Sequence, residues 1–175
     1  MLCSETGLRQ DPDYCRAPQC TKGFVDITNQ AYVTASTSQP LHGAESLVDN
    51  DPITYWQSNG GQPHTITLQF SRQVEIWDLA LFHNYAIDES YTPSKLVVLI
   101  GTGLHDLQPC TSMDLVEPVG WTTCDQLRKF QGLKCHMMII RIEENHMGGK
   151  DSLIRGLRVF SKRAPRSELS ISAHR

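Results

Sequence analysis

The chain of 175 residues has no long apolar run; the longest uninterrupted one is Leu96 to Ile100. A bilayer span needs about 20 residues, so no transmembrane helix is expected. It also lacks an excess of charge of one sign: 16 Lys and Arg stand against 19 Asp and Glu, for a net charge of −3. Without a basic field, nucleic-acid binding and attraction to a membrane surface are not expected. No Asn-x-Ser/Thr sequon occurs, and Glu5, Arg9 and Asp11 interrupt the opening stretch, so no signal peptide is visible. A cytoplasmic or nuclear location with reduced thiols is therefore expected for the six cysteines, Cys3, Cys15, Cys20, Cys110, Cys124 and Cys135. Cys3, Cys15 and Cys20 lack a fourth ligand, and four residues separate Cys15 from Cys20, a wide spacing for zinc. Neither a metal nor another cofactor is expected.

A composition of 39% hydrophobic and 20% charged residues is that of a globular domain. Residues 1–22 read as an irregular, cysteine-containing leader, 23–162 as one folded domain, and 163–175 as a polar tail. Within the domain, short strands recur. Phe24–Ile27 opens the series, Ala31–Ser38 alternates, and His64–Phe70 is rich in Thr and Ile. Val74–Trp77 leads into Leu79–His83, and the strand Lys95–Ile100 carries the continuous apolar run. Ser112–Val116, Trp121–Cys124, Cys135–Ile142 and Leu153–Phe160 complete the set, with one helical turn at Ala44–Val48. Turn chemistry separates them at Asn59-Gly60-Gly61, Thr92-Pro93, Gly101-Thr102-Gly103, Pro118 and Gly148-Gly149. Short strands with little helical periodicity predict an all-β sandwich.

Catalytic patterns are missing. Cys135 and His136 are neighbours on a strand and point to opposite faces, so they make no nucleophile–base pair. Gly101-Thr102-Gly103 lacks the third glycine of a dinucleotide loop, and Gly148-Gly149-Lys150-Asp151 lacks the spacing of a phosphate loop. Asp49-Asn50-Asp51-Pro52 offers too few oxygens for calcium and suits an Asx turn. Trp56, between polar turn residues, suits either a core plug or an exposed platform. Three polar loops remain as recognition surface: the stretch around Trp56 and Ser58, Asp88–Ser94, and Asn145–Asp151.

Those loops carry a resemblance. Thr54-Tyr55-Trp56-Gln57-Ser58, Gln62-Pro63-His64, Asp88-Glu89-Ser90-Tyr91-Thr92-Pro93-Ser94-Lys95, Leu115-Val116-Glu117-Pro118 with Gly120-Trp121, and Asn145-His146 with Gly149-Lys150-Asp151 appear in order over about Ala31 to Phe160. Together they resemble the Doc domain, the module named for the Doc subunit of the anaphase-promoting complex. The resemblance implies a jellyroll β-sandwich of the galactose-binding-like type and a setting within a ubiquitin ligase. It implies no catalysis by the module itself.

By that resemblance, loops at one end of the sandwich take a short degron-like peptide. The ligand-binding residues would be Trp56, Ser58, Asp88, Glu89, Ser90, Tyr91, His146, Met147, Gly148, Gly149, Lys150 and Asp151. Asp88, Glu89 and Asp151 would pair with a ligand Arg or Lys. Where the family's loop typically reads His-Gln-Asn-Gly-Arg-Asp, this one reads His146-Met147-Gly148-Gly149-Lys150-Asp151. The loss of two amide groups and the gain of a soft apolar Met147 imply a different peptide side chain from that of the family's destruction box. The chain ends Ala173-His174-Arg175, where the Doc subunit ends in Ile-Arg, which suggests a domain from a larger HECT-type or cullin-type ligase. The expected partners are a peptide or protein substrate and other parts of the ligase. Two rival expectations are a carbohydrate-binding module, with Trp56 as platform beside Asp49 and Asp51, and a domain that only packs against its neighbours.

Overall fold

A computed structural model describes residues 23–163. The expectations for the leader, with Cys3, Cys15 and Cys20, and for the tail beyond residue 163 lie outside the described residues.

Two antiparallel sheets face each other. The larger runs in the order β2 (Ala31–Ala35), β4 (His64–Ile76), β9 (Leu133–Asn145), β6 (Pro93–Gly101), β7 (Gln108–Asp114). The smaller runs β1 (Phe24–Asp26), β11 (Gly156–Lys162), β5 (Asp78–Asn84), β8 (Val119–Thr123). A two-stranded ribbon joins β3 (Trp56–Gln57) to β10 (Leu153–Ile154). The all-β sandwich follows from the strand pattern: His64, Ile66, Leu68 and Phe70 of β4 turn inward, while Thr65, Thr67 and Gln69 turn out. Ile66, Leu68, Leu96, Val98, Met138, Ile140 and Ile142 from the large sheet meet Leu79, Leu81, Leu157 and Val159 from the small one.

Several strands differ from the sequence pattern. The expected pair Val74–Trp77 and Leu79–His83 is divided earlier: β4 runs through to Ile76 across a register shift between Gln69 and Val74. Ser112–Val116 is displaced to Gln108–Asp114, because pairing with β6 outweighs local propensity there. Leu153–Phe160 breaks at Arg155, whose N–H donates to the Phe82 carbonyl while β10 leaves to pair with β3. Two four-residue helical turns, α1 (Tyr85–Asp88) and α2 (Asp125–Arg128), had no clear sequence signal.

Antiparallel pairing collects loops at one end. His64 pairs with Ile142, Pro93 with Asn145, Asn84 with Val119 and Phe82 with Gly156. Segments 58–63, 85–92, 115–118 and 146–152 therefore leave the sandwich on the same rim.

Candidate functional site

The rim is built around the segment that follows β9. Asn145 closes its base: the Asn145 amide donates to the Asp151 carbonyl at 2.8 Å, and the Ser152 hydroxyl donates to Asn145 Oδ1 at 2.8 Å. From the other side, Gln62 Nε2 donates to the Gly149 carbonyl at 3.1 Å, and His64 Nε2 lies 2.7 Å from the Lys150 carbonyl. A carbonyl only accepts, so His64 Nε2 carries the proton.

Ser58, His64 and Asp151 come together, with Ser58 Oγ 3.2 Å from His64 Nε2 and 3.1 Å from Asp151 Oδ1. The grouping has the side chains of a hydrolytic triad in the wrong roles. In a triad the histidine nitrogen next to serine takes its proton and the carboxylate holds the other ring nitrogen. Here Nε2 is a donor to a carbonyl, and the carboxylate binds the serine. Ser58 and His64 are both 0% exposed, and the Ser152 N–H also donates to Ser58 Oγ at 2.8 Å. The cluster pins two loops together.

His146 joins the third and fourth segments. Its backbone N–H donates to the Thr92 carbonyl at 2.9 Å, its Nδ1 lies 2.9 Å from the same oxygen, and the Glu117 N–H donates to Nε2 at 3.1 Å. The Tyr85 ring leans on it at 4.8 Å between centroids. The Glu89–Tyr91 turn packs on His146–Gly148 so closely that a Cβ on Gly149 would stand 1.8 Å from the Ser90 carbonyl oxygen. Glycine is required there by approach of backbone to backbone.

The structure sorts the expected site residues into two groups. Trp56 and Ser58 are corrected: both are 0% exposed and present no surface to a ligand. Trp56 is the core plug, its indole N–H donating to the Thr37 carbonyl at 3.0 Å. Asp88 is corrected as well, because Arg155 holds it through Nε at 2.8 Å and Nη2 at 2.6 Å, with side-chain exposures of 12% and 4%. Asp151 is half-buried with its Oδ1 engaged by Ser58, and both ring nitrogens of His146 are engaged by backbone, so the His146 ring offers no free nitrogen to a ligand. What stands on the surface is Glu89, Tyr91, Met147, Gly148 and Lys150, with Ser90 and Gly149 half-buried between them. Asp49 and Asp51 form the expected Asx turns, accepting from the Asp51 and Ile53 N–H groups at 2.9 Å.

Exposed apolar side chains crowd the same rim. Ile87, Tyr91, Val116, Val119 and Met147 are 51%, 44%, 88%, 55% and 75% exposed. Each lies on, or next to, a segment that His146 ties. Glu89 and Glu117 add exposed carboxylates, and both have left-handed backbone at φ 44°. Val116, Val119 and Glu117 were missed as surface residues: strand periodicity says nothing about which loop apolars stay uncovered. Arg155 was missed because its partner lies 67 positions away. Beyond Arg155, a cleft of about 180 Å3 opens between the Asp49–Pro52 turn and Phe82, Trp121 and Arg158.

The profile of a family described as "Anaphase-promoting complex, subunit 10 (APC10)" matches residues 8–174. The chain belongs to this family. Among its curated relatives is subunit 10 of Schizosaccharomyces pombe, 38% identical over 143 residues, 81% of this chain and 76% of that one. The Dictyostelium discoideum subunit 10 is 40% identical over 139 residues, covering 79% and 74%. The Saccharomyces cerevisiae subunit DOC1 is 30% identical over 140 residues, covering 78% and 56%. These relatives are the family's own subunit, not HECT-type or cullin-type ligases, and they lend no support to a larger parent. Among solved structures, a family 32 carbohydrate-binding module of Clostridium perfringens NanJ superposes with a TM-score of 0.66 at 13% identity, covering 79% of this chain and 99% of that one. That likeness shows the fold, the jellyroll sandwich of the galactose-binding-like type.

Proposed function

We propose that the chain serves as a non-catalytic recognition subunit of an anaphase-promoting-complex ubiquitin ligase, and that its loop rim holds a short extended peptide of the substrate. Family membership supports the ligase setting, since the relatives are named as subunits of that complex. The observation that carries peptide binding is the rim itself: Tyr91 and Met147 stand exposed on two loops that backbone contacts lock together. Preformed loops lower the ordering cost of binding an extended segment. The two side chains supply apolar anchoring area, and Glu89 and Glu117, in place of the buried Asp88, meet a basic side chain of the peptide. The free thiols of Cys110, Cys124 and Cys135 accord with work in the cytoplasm or nucleus.

The test is fluorescence polarisation with a synthetic peptide bearing one Arg and one Leu anchor, beside the same peptide with both changed to Ala. Tyr91→Ala and Met147→Ala each weaken binding about tenfold, the loss of about 1.4 kcal/mol at an anchor. Two folded variants that bind like the parent chain would refute the assignment. A sugar platform loses its main support, because the ring expected to serve it, Trp56, is buried.

A further inference from the structure

We propose that His146 is a protonation-sensitive latch that holds the Val116–Glu117 corner of the rim in place. The hydrogen bonds fix its tautomer. The Thr92 carbonyl, 2.9 Å from Nδ1, can only accept, so Nδ1 carries a proton. The Glu117 N–H, which donates across 3.1 Å to Nε2, requires a lone pair there. Both bonds exist together only in the neutral Nδ1–H imidazole. Uptake of a second proton leaves the ring with two donors and no acceptor. The Glu117 N–H then faces another N–H and loses its partner.

The consequence is local. Leu115 stays anchored through its N–H to the Ser94 carbonyl at 2.8 Å, and Pro118 through its carbonyl, which accepts from the Tyr85 N–H at 2.9 Å. Between these anchors lie only Val116, 88% exposed, and Glu117, held at φ 44°. A left-handed backbone strains a non-glycine residue, so the corner relaxes once its hydrogen bond is gone. The titratable and charged groups on the elements packed around His146 include His83 from β5, Tyr85 and the Arg155-paired Asp88 from α1, Glu117 from the 115–118 segment, Glu89 and Tyr91 from the turn packed on it, and Lys150 and the Ser58-bound Asp151 on its own segment. Burial holds the His83 imidazole down at about 3, so it stays neutral beside His146.

This inference needs no ligand, so its test is independent of the peptide-binding proposal. Long-range 1H–15N correlation on the uniformly labelled chain reads the His146 tautomer directly. The expected result is a protonated Nδ1 and a bare Nε2 at high pH. As the ring takes up a proton, the Glu117 amide should shift with it and lose about twofold to tenfold in exchange protection, corrected for the intrinsic rate. The Leu115 and Tyr85 amides should stay as they are. In His146→Gln the side-chain oxygen can replace Nε2 as acceptor without titrating, so Glu117 should stay protected at every pH. An Nε2–H tautomer overturns the inference. So does a Glu117 amide that ignores the His146 titration in the parent chain, or that follows the same pH course in His146→Gln.

Discussion

Removing the Asp88 carboxylate should unfold the chain more readily before it alters any binding surface. Asp88 and Arg155 form a two-pronged ion pair at 2.8 and 2.6 Å, nearly shut off from water. The pair fastens α1 to the start of β11, and the Arg155 guanidinium also lies 5.4 Å over the Tyr55 ring. Deleting one member of a buried pair leaves the other charge uncompensated, at a cost of about 3–5 kcal/mol. With a urea slope of about 2 kcal/mol/M for a domain of this size, Asp88→Ala should lower the unfolding midpoint by about 2 M. Urea titration followed by tryptophan fluorescence measures it. The cycle Asp88→Asn, Arg155→Met and the double variant then separates the pair from its surroundings: the double variant should be more stable than the sum of the single losses predicts. A midpoint within 0.3 M of the parent, by the same slope about 0.6 kcal/mol, would mean that Asp88 is not structural, and the reasoning that removes it from the ligand surface would fail.

Gly149→Ala should push the 146–151 segment off Ser90, because its new Cβ meets a backbone oxygen that has no side-chain freedom to yield; amide shifts of residues 88–92 and 146–151 should move while those of the central strands do not. The Asp106 carboxyl is held down at about 2, first by the Thr102 hydroxyl and then by the Gly103 N–H. Because the folded value lies below the ordinary 3.8, the 101–107 turn is fully favoured above that ordinary value and loosens as pH falls through about 2; the Thr102 and Gly103 amides should report the loss, and amides unchanged at pH 2 would refute it. Burial pushes the Cys110 and Cys135 thiols up to about 11. Both should be alkylated by iodoacetamide at pH 8 far more slowly than in the urea-unfolded chain, as read by peptide mass spectrometry.

The alternation of His64–Phe70, the apolar runs Leu96–Ile100 and Met137–Ile140, and the turn residues between them determined an all-β sandwich by themselves, because a period of two leaves few other ways to bury those side chains. The strings around Trp56, Tyr91 and His146 marked the loops that share a rim. Strand ends and roles required the tertiary structure. Whether Trp56 faced water or the core turned on the chain around Thr37, 19 positions away. Asp88 and Glu89 are adjacent carboxylates with opposite fates: one meets Arg155 across the fold and is buried, while the other remains in solvent. His146 reads as a ligand-binding histidine until Thr92 and Glu117 are brought to its two nitrogens. Periodicity records which side of an element is apolar, but a polar group's role depends on partners that only long-range pairing of strands brings within 3 Å, the reach of a hydrogen bond.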